Sequence, residues 1–525
     1  MAVTANKHFP HGRPALAGAL FMAMGFASAA HALDWNFEPS VGTSATYTDN
    51  ANQSASNPED ALILSVTPGF SLASKGSRRV QASLQYGLSG VARFGEDGST
   101  DLNHNLGAIG KAELIEDFLF IDGSARISQE LVSLLGSPAD ADINDSNRAN
   151  VGTYSISPYI QKRLGTFANV LARYTASGAI FENQTSADAN VNTFAVGLTS
   201  GTRFTDLSWA LDYSIRKAEN RDAPTTAAGA DTTFERASAS AGYALTRKFR
   251  VFGTLGQDKN DYLSTTETDG SFYSVGFGWA PTRRTSVEAS VGERYFGNTF
   301  SFSGSHRTRS TRWTVRYSED VSDITQQFLE QSGRTFWVCQ VGRVARAFPT
   351  DTFPQPPAGV CLAQPVTSFQ LAALGVALSD LVASGDVRTS IANGVYIIKS
   401  LTAGVTWDIG RLGFGLSAQD TRRLYQVFGG AEDHIQGVTG SVTYRLSAQT
   451  SAFGSLSLTR NSVDSVLATG SAREDDLTSF SLGLNHRFAE RLDGALTFRH
   501  SQRDSNVATA DYEENSITAT ANMRF

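Results

Sequence analysis

Ser516-Ile517-Thr518-Ala519-Thr520-Ala521-Asn522-Met523-Arg524-Phe525 closes the chain, and its apolar residues fall at every second position. Ile517, Ala519, Ala521, Met523 and Phe525 form one set, and Ser516, Thr518, Thr520, Asn522 and Arg524 form the other. A period of two belongs to an extended strand and puts the two sets on opposite faces. One face is apolar while the other carries hydroxyls, an amide and a guanidinium, as a strand between lipid and a watery lumen requires. A half-buried strand of a soluble sheet alternates in the same way. Recurrence along the chain separates the two cases.

The pattern recurs from Asn36 to the end. Leu492, Gly494, Leu496 and Phe498 alternate with Ala495, Thr497 and Arg499, and Val442, Tyr444 and Leu446 with Ser441, Thr443 and Arg445. Leu412, Phe414 and Leu416 alternate with Gly413, Gly415 and Ser417, and Tyr273, Val275, Phe277 and Trp279 with Ser274, Gly276 and Gly278. The connections alternate too. Short, often basic turns occur at 75–79, 163–166, 246–249, 280–285, 308–311, 408–412, 446–450 and 489–492. Between them lie longer polar stretches at 49–60, 95–103, 130–150, 182–190, 219–231, 259–270, 461–475 and 504–511. Short periplasmic turns and long outer loops are the rhythm of a bacterial outer-membrane barrel. The sequence therefore predicts an all-β, transmembrane, antiparallel β-barrel over residues 33–525. It predicts roughly 22 strands, between about 18 and 24, with both termini in the periplasm.

The N-terminal region agrees with export. Lys7 and Arg13 precede an apolar run from Ala15 to Phe26, and the small-residue string Ala27-Ser28-Ala29-Ala30-His31-Ala32 follows. This is the layout of a secretory signal peptide over residues 1–32, cleaved after Ala32. The apolar run is shorter than the roughly 20 residues of a membrane anchor. No later stretch is long and apolar enough for a spanning helix, so any crossing is made by strands. The net charge of -7 over 525 residues gives no field of the kind that binds nucleic acid.

Two places break the rhythm. The run from Glu293 through Tyr295, Phe296 and Gly297 to Phe300 turns on the outer side by parity, yet reads as a tight hairpin. Glu293 also falls in the apolar register of Val287, Ala289 and Val291, which a bulge or a place near the headgroups accommodates. Residues 321–393 differ in kind and read as one long loop, stapled or plug-like, with the barrel on either side. They hold Cys339, Cys361, five prolines between Pro349 and Pro365, and Leu371, Leu374, Leu378, Leu381 and Val382 at helical spacing. In an exported chain the two cysteines read as a disulfide, with two free thiols as the alternative. A small separate domain is the other reading of this stretch.

Candidate chemistry is sparse. Arg294, Arg307, Arg309, Arg312 and Arg316 fall on the lumen side of three neighbouring strands. They read either as charge balance for carboxylates such as Glu288 or as a basic track for an anionic or sugar polymer. Beyond the signal region the chain has His104, His306, His434, His486 and His500, of which His306, His486 and His500 lie in the apolar register. No nucleophile elbow, P-loop, metal quartet or dinucleotide fingerprint occurs, so no enzyme, metal site or cofactor is predicted. A Ser or Asp within reach of His104 or His434 would favour a barrel hydrolase. An energy-coupled transporter with an N-terminal plug would carry a globular domain before its first strand, whereas strands here begin near 35–47.

Gly278-Trp279-Ala280-Pro281-Thr282-Arg283-Arg284, then Val287 to Gly297, then Trp313, Tyr317, Ser318 and Glu319 carry a family resemblance. Val395-Tyr396-Ile397-Ile398-Lys399-Ser400-Leu401 and Tyr512-Glu513-Glu514-Asn515 extend it. The chain resembles the outer-membrane β-barrel proteins associated with PEP-CTERM and exosortase systems, found in bacteria that make extracellular polysaccharide. It departs from them at the cysteine-bracketed, proline-rich loop. The resemblance implies a place in the cell outer membrane and a part in exopolysaccharide export or matrix assembly, and it supplies no catalytic residues. Expected partners are outer-membrane lipid, the barrel assembly machinery reading Phe525 as its signal, and exopolysaccharide or export components. The alternative is a general diffusion porin.

Overall fold

In the computed structural model, residues 34–75, 79–95, 98–131, 147–181, 188–221, 231–332, 335–341, 344–349, 360–361, 366–367, 394–426, 431–463 and 473–525 are described. The predicted signal peptide and the Leu371–Val382 stretch lie outside them. Fifteen strands come first: β1 (Asp34–Thr48), β2 (Ala61–Lys75), β3 (Val80–Phe94), β4 (Thr100–Ile115), β5 (Leu119–Leu131), β6 (Arg148–Leu164), β7 (Ala168–Phe181), β8 (Asp188–Ser200), β9 (Leu207–Arg221), β10 (Thr232–Thr246), β11 (Phe249–Asp261), β12 (Gly270–Thr282), β13 (Thr285–Arg294), β14 (Gly297–Arg307) and β15 (Thr311–Asp323). An insert follows, with helix α1 (Ile324–Ser332) and short strands β16 (Thr335–Val341), β17 (Val344–Pro349), β18 (Val360–Cys361) and β19 (Val366–Thr367). Seven more strands complete the chain: β20 (Val395–Ile409), β21 (Leu412–Tyr425), β22 (Glu432–Arg445), β23 (Thr450–Val463), β24 (Arg473–Ala489), β25 (Leu492–Ser505) and β26 (Tyr512–Arg524).

Each barrel strand pairs antiparallel with its neighbours in sequence, β15 pairs with β20, and β26 pairs back onto β1. The result is a closed 22-stranded sheet. The closing strand read from the sequence supplies the last seam: Ile517 stands opposite Tyr47, Met523 opposite Val41, and the Phe525 backbone N–H donates to the Pro39 carbonyl at 2.9 Å. Closure satisfies the edge that would otherwise expose a row of unpaired backbone groups.

The alternation sorts the faces as predicted. Phe37, Tyr47, Leu255, Val275, Phe300, Leu482, Leu496 and Ile517 point outward and are exposed. Inward, hydroxyls bridge adjacent strands: Ser44 to Ser65 at 2.6 Å, Thr46 to Thr518 at 2.9 Å, Ser157 to Thr175 at 2.7 Å, Ser290 to Ser301 at 2.6 Å and Ser455 to Ser481 at 2.7 Å. Such pairs let a wet wall satisfy its own polar groups as well as those of water. An apolar exterior around a polar interior suits lipid outside and water inside, and closed barrels are the sheet solution to spanning a bilayer. The protein is an outer-membrane β-barrel.

Turns between even and odd strands are short, as at 247–248, 283–284 and 410–411, and share one end with both termini of the ring. Longer connections such as 49–60 and 262–269 occupy the other. The exception also stands as read: 295–296 alone joins β13 to β14 on the outer side, and Gly297 follows at φ 114, which an L side chain adopts only with strain. Glu293 pairs with Tyr273 in unbroken register and needs no bulge; it sits one residue from the outer end of β13. The insert begins later than the sequence indicated. Val321, Ser322 and Asp323 belong to β15, paired with Ile397, Tyr396 and Val395, because the hairpin continues past the level of its neighbours.

Candidate functional site

The outer half of the bore is where the structure departs from a plain ring. Inward side chains there are buried: Ile63, Ala179, Tyr396, Arg423 and Asp475 have no exposed area. Toward the periplasmic end inward residues such as Ser40, Ser286, Ser305 and Thr314 are half or fully exposed. A ring of this strand number encloses a wide interior, so something covers the outer half of its wall.

The segment from Asp320 to Ile324 shows part of the covering, since successive residues contact successively more distant strands. Asp320 pairs with Arg294 at the end of β13, at 2.8 Å. Val321, with Val395 and Ile397 from β20, belongs by parity to the lipid-facing set, yet all three are buried in a cluster with Tyr262. Phe234 of β10, Tyr295, Phe296 and Leu424 pack against that cluster. Asp323 is held by Arg216 of β9, with Nη2 donating to Oδ1 at 3.0 Å and Nη1 to Oδ2 at 2.5 Å. Ile324 is buried with Ala149 and Val151 of β6 and Ala179 and Phe181 of β7. The upper β15–β20 hairpin thus leans into the bore, and helix α1 starts against the far inner wall. The two-residue β13–β14 turn is the low point over which it leans, and Tyr295 and Phe296 form the shelf.

Asp323 has a double role. Its carboxylate also accepts from the Gln326 backbone N–H at 2.8 Å, capping α1 at the position where helix starts favour Asp. Tyr396 donates to Gln327 at 2.6 Å and ties the helix back to β20. Tyr262 and Tyr295 share a hydrogen bond of 2.9 Å above the strands, and burial pushes both phenols above their ordinary pKa. They remain neutral hydrogen-bonding groups over the physiological range.

A buried carboxylate anchors the same side. Asp258 of β11 accepts from Arg236 at 2.8 Å and from Arg294 at 2.8 Å. The sequence places Arg294, Arg307, Arg309, Arg312 and Arg316 on the lumen face; the register agrees for Arg294, Arg307, Arg312 and Arg316, whereas Arg309 lies outside the strands, in the turn between β14 and β15. The structure does not bring all five together, because Arg294 lies at the outer end, apart from the rest. Arg294 adjoins the outer hairpin and is consumed by Asp258 and Asp320, which is charge balance. Arg307 and Arg312 face each other at the periplasmic end, Arg309 sits in the turn between them, and Arg316 lies higher on β15 opposite Ser303. Arg250 pairs with Glu288. Sequence reasoning missed Arg216, Asp258, Asp320 and Asp323; for the first three the available signal was a charged residue at an inward position near the outer end of a strand, whereas Asp323 shares the lipid-facing parity of Val321 and gave no such signal.

His306, His486 and His500 face outward, bonded to Thr285, Thr450 and Asn515. His104 and His434 face outward as well, and each has a partner: Tyr86 Oη at 2.8 Å and Asp420 Oδ2 at 3.0 Å. Cys339 and Cys361 are direct partners in the backbone register of β16 and β18. Among the described residues no group of His, Cys, Asp and Glu is arranged to hold a metal.

No family model and no curated protein matches the chain. Among solved structures it is similar to the siderophore receptor PirA from Acinetobacter baumannii, at 8% identity and a TM-score of 0.49 over 93% of this chain and 80% of that one. A mutant ferric enterobactin receptor (PfeA) from Pseudomonas aeruginosa aligns over 93% of this chain and 80% of its own at 10% identity and a TM-score of 0.48. The FrpB iron transporter from Neisseria meningitidis aligns over 93% and 82% at 11% identity and a TM-score of 0.47.

Proposed function

We propose that the protein is a gated conduit of the outer membrane, serving export of extracellular polysaccharide or matrix material, with the insert between β15 and β20 as its gate. The observation that carries the gate is Ile324 packed on β6 and β7, across the bore from the strand it leaves. A polar, hydroxyl-lined wall offers hydrogen bonds to a sugar chain without a strong apolar grip. The family resemblance supports the choice of cargo. A general diffusion porin is favoured less, because its inward wall would be wet along its whole length. Deleting the gene tests the cargo: loss of surface polysaccharide or displayed matrix is expected, and unchanged matrix contradicts it.

A second reading has one observation in its favour. Asp420 orients His434 on the outer surface, and Ser462 of β23 stands opposite His434 in the register. That row matches the order of a carboxylate–imidazole–hydroxyl relay. Phospholipid ester hydrolysis by the purified barrel, abolished by His434→Ala, would establish it; no turnover by the wild type removes it.

A further inference from the structure

The charges at the two ends of the bore are handled differently. At the outer end Arg216, Arg236 and Arg294 all meet carboxylates. At the periplasmic end, four consecutive turns along the wall from β10 to β21 carry Arg247 and Lys248, then Arg283 and Arg284, then Arg309, then Arg411, with no acidic residue in any of them. All six side chains are exposed, and none forms an ion pair with a described residue. Elsewhere on that rim the charges are mixed, as where Arg79 pairs with Glu116 next to Asp117. A one-sided arc of guanidinium groups concentrates positive potential and attracts polyanions from a distance.

Anionic lipid headgroups are one partner for basic turns at a membrane surface. The inward row argues for a different one. Arg307 and Arg312 are direct cross-strand partners that face the bore, and Arg316 follows two inward positions further along β15. Like charges set opposite each other on adjacent strands repel, and groups facing the lumen are out of reach of lipid. Asp408, on the same inward face of β20 as Thr406, the partner of Arg312, offsets part of this charge, and the remaining guanidinium groups continue the basic surface from the rim into the water-filled end of the bore.

We infer that this arc is the entrance dock for a soluble polyanion, a chain of carboxylate- or phosphate-bearing units that the guanidinium groups bind by charge-assisted hydrogen bonds. The inference rests on the conduit reading and names its substrate class. The test uses the full barrel in phosphatidylcholine nanodiscs, titrated with polygalacturonate and with neutral dextran. The wild type is expected to bind polygalacturonate, more weakly as salt rises, and not dextran. A variant combining Arg283→Ser, Arg284→Ser, Arg309→Ser and Arg411→Ser, all in turns outside the strands, is expected to bind at least about tenfold more weakly. Equal binding by wild type and variant would overturn the dock. So would a wild type that ignores polygalacturonate while the substitutions weaken only its association with phosphatidylglycerol-containing nanodiscs. The deletion strain separates the two claims: polygalacturonate binding together with an unchanged surface polysaccharide leaves the dock standing and removes the export role, whereas absent binding with lost polysaccharide removes the dock alone.

Discussion

Asp323, the last residue of β15, is gripped by both terminal nitrogens of Arg216 on β9, and the same carboxylate caps the helix that follows. One residue thereby fixes where the insert begins, which way it points and what holds it to the wall at β9. Both side chains are close to nine-tenths buried, so removing one partner strands the other's charge. Breaking such a pair costs about 3–5 kcal/mol. Asp323→Ala is expected to loosen the insert and raise the frequency of channel openings in a planar bilayer, with Arg216→Ala doing the same. The double substitution should be no worse than either single one, because each already abolishes the contact. Additive effects would show that the two residues act separately.

Much of this molecule is legible in its sequence, and the limits have physical causes. A lipid-facing side chain at every second residue and the short turn chemistry reveal strands such as β12, β22 and β26, their faces and the closed ring. The same alternation assigns Arg294 and Arg307 to one face but says nothing of depth, so groups at opposite ends of the bore read as one track. Contacts across the bore have no local signal at all: nothing near Ile324 in the chain announces Phe181. Helix α1, Ile-Thr-Gln-Gln-Phe-Leu-Glu-Gln-Ser, is too short and polar for periodicity to reveal.

The register of the insert makes a covalent prediction. Cys339 and Cys361 are opposite residues of an antiparallel pair, where Cα atoms lie about 4.5–5.5 Å apart, within the span a disulfide bridges. Peptide mapping without reductant should recover the two cysteines as one linked species. Two alkylatable thiols in protein taken from the outer membrane would contradict it.

At the low point of the wall, Gly297→Val places a β-branched residue at φ 114. Strain of this kind costs on the order of 1–3 kcal/mol, and the shelf made by Tyr295 and Phe296 shifts with it. The variant should lose its heat-modifiable folded band on a gel at a lower temperature than the wild type. An unchanged transition would mean that the turn relaxes at no cost.

Phe525 is exposed and bonds only through its backbone N–H to Pro39 among the contacts that join it to β1. Its ring contributes little to the folded ring of strands, which fits a role in recognition by the assembly machinery. Deleting Phe525 should lower the amount of folded barrel in the outer membrane while leaving the melting of the assembled fraction nearly unchanged. Normal yield of the truncated chain would count against that role.

Conductance across a planar bilayer tests the gate most directly, comparing the wild-type barrel with one in which residues 324–394 are replaced by a short Gly-containing turn joining β15 to β20. The predicted result is a wild type that is mostly silent and a replacement variant with a steady conductance in the nanosiemens class. A wild type that conducts steadily, with the same conductance after the replacement, would contradict the gated conduit.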